Sequence, residues 1–272
     1  MRSYQLMVDA VADIGKDLRD AWNIDQMCLC TSYGEMECLS HGTCPLLREK
    51  GDFFSAANLS LMLEKSFVRY AKQDIDVLYL APASVFFPLY DHARQVANRV
   101  MQSYPEVKIA VADTDSYGIG QGLLALSLAK HRAEGMKLEQ ALGFLEQEKA
   151  KLSLVSTIEK QPRRSPFSAN NLPHLRLGRF FGRRPVFGFE GLGQVKVYYR
   201  VKGHLSAVAR AIESLREHLG KDTPLYLSCV GDQEFLDELS KLLDESVYLC
   251  PMSPLMQKWF GKEGCSVAGL SL

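Results

Sequence analysis

The chain begins as an alternation of short apolar runs and segments of helical period. Gln5 to Asp9 is a buried-strand pattern, followed by a helix whose Ile14, Leu18 and Trp22 share one face. Met27 to Cys30 is a second apolar run, and a loop-rich stretch from Ser32 to Phe54 carries Gly34, Gly42, Pro45 and Gly51. Leu59, Met62, Leu63, Phe67 and Tyr70 then predict a helix reaching about Lys72, with Ser55 or Asn58 as its N-cap. Asp76 to Leu80 is the next strand, followed by the loop A-P-A-S-V-F-F-P and a helix from about Leu89 to Tyr104. Val107 to Ala112 is the fourth strand. It ends at Asp113 in a loop with glycines at 118, 120 and 122, and an apolar helix follows from about Gln121.

Strands alternating with helices over residues 1–150 predict a parallel sheet covered on both faces, an α/β/α domain. In such a fold the loops after the strand ends, around Ala10, Ser32, Ser84 and Asp113, gather on one edge, where ligands bind. The texture changes after Lys151. L-S-L-V-S-T is strand-like, and R-P-V-F-G-F-E-G-L-G-Q-V-K-V-Y-Y-R is a hairpin with Gly191 and Gly193 at its turn. A helix from Ser206 to Leu219, the strand T-P-L-Y-L-S-C-V, a helix from Glu234 to Leu243 and the strand V-Y-L-C complete an α+β domain over residues 151–272.

Composition narrows the function. The 272 residues are 47% hydrophobic and 24% charged, with 32 basic residues balancing 32 acidic ones. Zero net charge argues against nucleic acid as a partner. No apolar run reaches the roughly eighteen residues of a membrane span. The first residues lack the basic-then-apolar layout of a signal peptide, so a cytoplasmic location is expected. Seven scattered cysteines fit reduced thiols better than a disulfide framework.

The strand, Gly-rich turn and helix around Asp113 to Gly122 form a corner that suits a polar or anionic ligand, because free N–H groups converge at a helix N-terminus. The spacing G-x-G-x-G is neither the dinucleotide fingerprint nor a phosphate loop. Asp9 and Asp113, at strand ends, are expected to tie down loop N–H groups. Gly120 and Gly122 are expected to permit close packing of helix on sheet. Cys28, Cys30, Cys38 and Cys44 lie with His41 inside seventeen residues, ligand types that suit zinc or redox work, but the spacing matches no standard zinc module. Arg176, Arg179, Arg183 and Arg184 form a basic stretch read as a solvated helix face, with docking to an acidic partner as the alternative. None of the six histidines falls in a catalytic motif, so the chain is read as a binding protein rather than an enzyme.

Taken in order, the loop motifs resemble the DegV-type fatty-acid-binding family over nearly the whole chain. The family's T-D-S-T-A-D corresponds to V-D-A-V-A-D, Val8 to Asp13, and its D-S-x-S-x-S-x-G-x-G to Asp113 through Gly122. Its second-domain motifs correspond to Arg184-Pro185-Val186-Phe187, the Gly191/Gly193 turn, and R-V-K-G-H-L-S-A-V from Arg200. Its C-terminal T-G-P-G-A-L-G-L-x-F resembles Glu263 to Leu272.

The resemblance implies a cytoplasmic two-domain carrier without a cofactor. It would hold one long-chain fatty acid in an apolar tunnel and present the carboxylate to a fatty-acid kinase. The head-group positions depart from the family pattern. Its T-S-x-P-S segment reads Phe54-Ser55-Ala56-Ala57-Asn58, and its S-S-x-L-S-G-T loop keeps Ser84 but continues Val85-Phe86-Phe87-Pro88-Leu89. A histidine-bearing segment reads Gly261-Lys262-Glu263-Gly264, and G-G-R-I-S is shortened around Arg163 and Arg164. The implied ligand-binding set is therefore Ser55, Asn58, Ser84, Phe86, Phe87, Arg164 and Lys262.

Burying an acyl tail contributes about 0.8 kcal/mol per methylene, against about 1–3 kcal/mol for each head-group hydrogen bond, so lost hydroxyls weaken selectivity more than binding. Two alternatives stay open at this point. Lys262 and the arginines supply charge-assisted donors, or Phe86 and Phe87 close the cleft and leave an interaction protein on the same fold. A metal or redox role for the Cys28–Cys44 cluster is a third, weaker alternative.

Overall fold

The computed structural model describes residues 4–27, 56–158, 183–190, 194–261 and 263–271. Four parallel strands form the first sheet: β1 (Tyr4–Asp9), β2 (Ile24–Met27), β3 (Asp76–Ala81) and β4 (Ile109–Asp113), in the order β2-β1-β3-β4. β1 and β3 are buried along their whole length because both faces are covered. Side-chain alternation divides them cleanly. Met7, Val77 and Tyr79 point to helices α2 (Ala56–Ala71) and α3 (Leu89–Ser103), while Leu6, Val8, Leu78 and Leu80 point the other way.

On that other side lie α1 (Lys16–Ala21), α4 (Gly118–Ala133) and α5 (Leu138–Lys151). Helix α4 carries no charged residue before Lys130, and its first nine residues are all buried. A helix apolar all round belongs inside a protein. Leu124, Ala125 and Leu128 face the first sheet, whereas Ile119 and Leu123 face the second. One helix therefore serves as the middle layer of the molecule.

The second sheet is mixed. It comprises β5 (Leu152–Thr157), β6 (Arg183–Glu190), β7 (Gln194–Lys202), β8 (Leu225–Cys229), β9 (Val247–Pro251) and β10 (Cys265–Leu270), in the order β7-β6-β5-β10-β8-β9. The last strand in sequence is central, antiparallel to β5 and to β8. Val155, Leu227 and Val267 bury one face against α6 (His204–Leu219), with α7 (Gln233–Leu242) also on that side. The short α8 (Pro254–Phe260) turns back toward the first domain. Two sheets, each with its own outer helices, make a two-domain α/β architecture. Among the described residues no helix is long and apolar enough to cross a membrane.

The bounds of β1, β3, β5, α2, α3, α6 and α7 agree with the periodicity of the chain to within a few residues. Helix α4 begins not at the expected Gln121 but at Gly118, where φ of +54° allows the turn out of extended Tyr117. β4 starts at Ile109 rather than Val107. Helices α5 and α8 were not anticipated. Arg183 and Arg184 are not on a helix: they open β6, and Arg184 pairs with Glu263. Arg176, Arg179, the Gly191/Gly193 turn and the Cys28–Cys44 cluster lie outside the described residues.

The two α4 glycines make the contacts their spacing suggested. A Cβ on Gly120 would collide with Ser116 Oγ and press on Leu152 and Leu154 of β5. A Cβ on Gly122 would lie 2.9 Å from both the Asp13 carbonyl oxygen and Ile14 Cγ1. Gly143 of α5 is exposed, with nothing within 4 Å of its would-be Cβ. In urea titrations Gly122→Ala is expected to lower stability by about 1–3 kcal/mol through overpacking. Gly143→Ala should raise it by about 0.5–1 kcal/mol through helix propensity. Equal effects of the two would contradict the packing described.

Candidate functional site

The strand ends of the first sheet meet β5, β8, β10 and α8 of the second domain, and buried polar groups fix the meeting. Asp9, closing β1, accepts from Val11 N through Oδ1 (2.8 Å) and from Tyr79 Oη (2.8 Å) and Gln121 Nε2 (3.2 Å) through Oδ2. Gln26 Nε2 donates to the carbonyls of Asp9 and Ala12, holding the same turn from β2. Burial pushes the Asp9 carboxyl up to about 6, against the pull of those bonds.

Asp13 reaches across the seam. Its Oδ2 accepts from Ser228 Oγ of β8 (2.7 Å) and its Oδ1 from the Ser253 backbone N–H (2.7 Å), while its own N–H donates to Gly118 O (3.0 Å). Ser253 is itself the N-cap of α8, accepting from Met256 N. Desolvation raises the Asp13 carboxyl to about 7, opposed by the Ser253 and Ser228 bonds. A second crossing runs from Tyr117 Oη to Ser156 Oγ (2.9 Å) and on to Ser266 Oγ (2.8 Å). Burial holds the Tyr117 phenol above its ordinary range.

The loops after β3 and β4 are knitted together. Asp113 accepts from Ser84 N (3.1 Å) and Asp115 N (2.9 Å), Thr114 Oγ1 donates to Ala81 O (2.8 Å), and Ala83 N donates to Ser116 O (2.7 Å). The structural role expected for Asp9 and Asp113 is the one observed. Ser116 Oγ is buried, with no hydrogen-bond partner among the described residues.

An aromatic wall stands over these loops. Phe86 packs on Phe189 of β6 with ring centroids 4.7 Å apart and on Tyr117 at 6.2 Å. Tyr117 also meets Phe189 (5.3 Å) and Phe260 of α8 (6.0 Å), and Phe87 meets Trp259 (5.2 Å). Rings of both domains thus form one cluster, continuous with the core beneath α2 and α3.

Of the seven ligand-binding positions expected from the sequence, Ser84, Phe86 and Phe87 share the loop after β3. Ser84 is exposed, Phe86 half-buried and Phe87 fully buried. Asn58 is half-buried in the first turn of α2. Ser55, Arg164 and Lys262 lie outside the described residues, as does Arg163. Tyr117, Phe189, Trp259 and Phe260, the residues that join Phe86 and Phe87 in this cluster, stand outside the positions expected from the sequence. The alternating aromatics of V-F-G-F and the W-F pair in an amphipathic segment were the available signals.

A parallel-sheet domain joined to a mixed-sheet domain across a buried aromatic seam defines a two-domain α/β protein. The chain belongs to the DegV family: the model of this uncharacterised protein family matches residues 3–161. A DegV domain-containing protein of Clostridium perfringens is 22% identical over 253 residues, covering 88% of this chain and 87% of that protein. The DegV domain-containing protein YteA of Lactococcus lactis is 24% identical over 260 residues, 88% and 86% of the two chains. Among solved structures, a DegV family protein from Eubacterium eligens loaded with heptadecanoic acid superposes with a TM-score of 0.75 at 16% identity, covering 99% of this chain and 100% of that one. The fatty acid kinase B3 protein of Streptococcus pneumoniae, loaded with linoleic acid, does so at 0.73 and 13% identity, covering 99% of each chain.

Asp9 and Asp13 set a pH dependence of stability. Both hold a proton in the folded chain at pH values where the unfolded chain has released it. Their contribution is therefore full at low pH and is lost as pH rises through about 6 to 7. Asp13→Asn mimics the protonated acid: its carbonyl takes the Ser253 N–H and its amide donates to Ser228 Oγ. Urea midpoints between about pH 5 and pH 8 are expected to fall with pH in the native protein and to fall less in Asp13→Asn. An unchanged slope in the variant would remove Asp13 from this role.

Proposed function

We propose that this chain is a carrier that binds one long-chain fatty acid at the junction of its two domains. We assign those domains to residues 1–150 and 151–272. The observation that carries this reading is the aromatic cluster shared by the domains, in which Phe86 meets Phe189 and Phe87 meets Trp259. It provides an apolar wall beside a loop end, at Ser84, that is exposed to water. The relatives of like fold loaded with heptadecanoic and linoleic acids support the ligand class.

Apolar burial dominates such an affinity. A sixteen-carbon tail gains roughly 10 kcal/mol before ordering costs, so binding survives a head-group site with fewer hydroxyls. The carboxylate would sit near Ser84 and the start of α2, at Ser55 and Asn58, with Arg164 and Lys262 as charge-assisted donors. An exposed carboxylate at a cleft mouth suits transfer to a fatty-acid kinase partner in the cytoplasm. The carrier reading is also supported by the employment of Asp9, Asp13 and Asp113 in structural hydrogen bonds rather than in a nucleophile–base pair. No cofactor is needed for this role.

One observation favours a second reading. Phe87 is 1% exposed and packs against Trp259, so the chain's own rings meet where the acyl chain would lie. In that case the same fold acts through a protein partner and takes up no lipid.

Denaturing extraction of the purified protein followed by lipid mass spectrometry, with titration of added fatty acid, separates the readings. The lipid reading expects about one fatty acid per chain, and expects Phe86→Trp to weaken uptake about tenfold while the fold is retained. Uptake by Phe86→Ala but not by the native protein would favour the closed cleft. No uptake by either would overturn lipid binding.

A further inference from the structure

Cys229 and Cys265 stand directly opposite each other on the antiparallel strands β8 and β10. Their place in the hydrogen-bond ladder follows from the next pair outward, where Val230 N donates to Gly264 O at 2.9 Å. Hydrogen-bonded and non-hydrogen-bonded pairs alternate along an antiparallel ladder, so Cys229 and Cys265 occupy a non-hydrogen-bonded pair. In such a pair the Cα atoms approach to about 4.5 Å and the side chains leave the sheet on the same face, within the range a disulfide spans. We propose that Cys229 and Cys265 form a cross-strand dithiol that closes reversibly to a disulfide by exchange with a small-molecule disulfide.

A second observation agrees with the register: Cys229 and Cys265 pack in the same apolar cluster beneath α6. The thiol of Cys265 is raised well above its ordinary range by burial and, further, by the negative charge a Cys229 thiolate would place beside it. The third described cysteine is excluded as a partner by register. Cys250 of β9 lies opposite Ser228, one residue before Cys229, and so projects from the other face of the sheet. Access is unequal, since Cys229 is half-buried and Cys265 fully buried.

The order of events follows from that difference. The Cys229 thiol gives up its proton and its sulfur attacks the small disulfide. The S–S bond of that molecule breaks, one of its halves leaves as a thiol, and a mixed disulfide remains on Cys229. The Cys265 sulfur, losing its proton in turn, displaces the second half. Two protein thiols are oxidised and one small disulfide is reduced to two thiols. Burial raises the Cys229 thiol to about 11, so the exchange is slow near neutrality and accelerates as pH rises.

The bond would act on the seam between the domains. Ser228, adjacent to Cys229, donates to Asp13, and Ser266, adjacent to Cys265, is bonded to Ser156. Closing the pair clamps β8 to β10 behind the side chains that hold the first domain.

The test exposes the folded full-length chain to oxidised glutathione, blocks remaining thiols under denaturing conditions, and maps peptides by mass spectrometry. The expected product is a linked Cys229–Cys265 peptide, formed faster as pH rises from about 7 to about 9 and removed by dithiothreitol. It should persist in Cys250→Ser, disappear in Cys229→Ser, and raise the melting temperature of the native chain. Linkage of Cys229 or Cys265 to other cysteines, a glutathione adduct on Cys229 that never passes to Cys265, or both thiols left free would each overturn the proposal. The native-chain mapping decides the question even if a serine variant fails to fold.

Discussion

The fold depends on a buried carboxylate that belongs to both domains. Asp13 leaves the first strand's loop and accepts hydrogen bonds from Ser228 and Ser253, more than two hundred residues away in sequence. Burial raises its carboxyl to about 7, and donors from β8 and from the α8 cap supply the hydrogen bonds that a buried polar group needs. Helix α4 supplies the apolar counterpart, with one side on each sheet. The Gly118 φ and the missing Cβ of Gly122 are what let α4 approach the Asp13 turn this closely. Polar clamp and apolar layer together set the distance at which the aromatic rings of the two domains meet.

Much of the fold was legible because its elements are locally consistent. β1 and β3 read as short apolar runs since a doubly covered parallel strand has no polar face to interrupt it. Helices α2 and α6 read as amphipathic since each buries a single stripe. The central position of β10 was not legible. A C-terminal strand between β5 and β8 is a matter of long-range pairing that no local period encodes. Arg184 misled for a related reason: a run of arginines has the composition of a solvated helix, yet its strand conformation is imposed by pairing with β7.

The site was legible in part. Strand-end aspartates were expected to bind loop N–H groups, and Asp9 and Asp113 do. Phe86 and Phe87 were expected either to line a pocket or to close it, and their partners explain why sequence left both open. Phe189 and Trp259 come from another domain, so the wall exists only after the chains of contacts through α4 and α8 are complete. Nearness in sequence singles out the cysteines at residues 28–44. The opposed pair at 229 and 265 is created by strand register instead.

A carrier of the kind proposed would separate its two tasks physically. Apolar area supplies affinity without direction, and a few donors at the cleft mouth supply orientation. In that reading the aromatic seam would serve the first, and the loop at Ser84 with the first turn of α2 the second. The central claim is that an acyl chain lies along the seam between the domains. Photo-crosslinking with a diazirine-bearing long-chain fatty acid, followed by peptide mapping, tests it most directly. The account predicts adducts confined to the loop after β3 and to β6 and α8, around Phe86, Phe189 and Phe260, and competed away by unlabelled fatty acid. Adducts on the outer helices α6 and α7, or labelling that an excess of unlabelled ligand leaves unchanged, would contradict it.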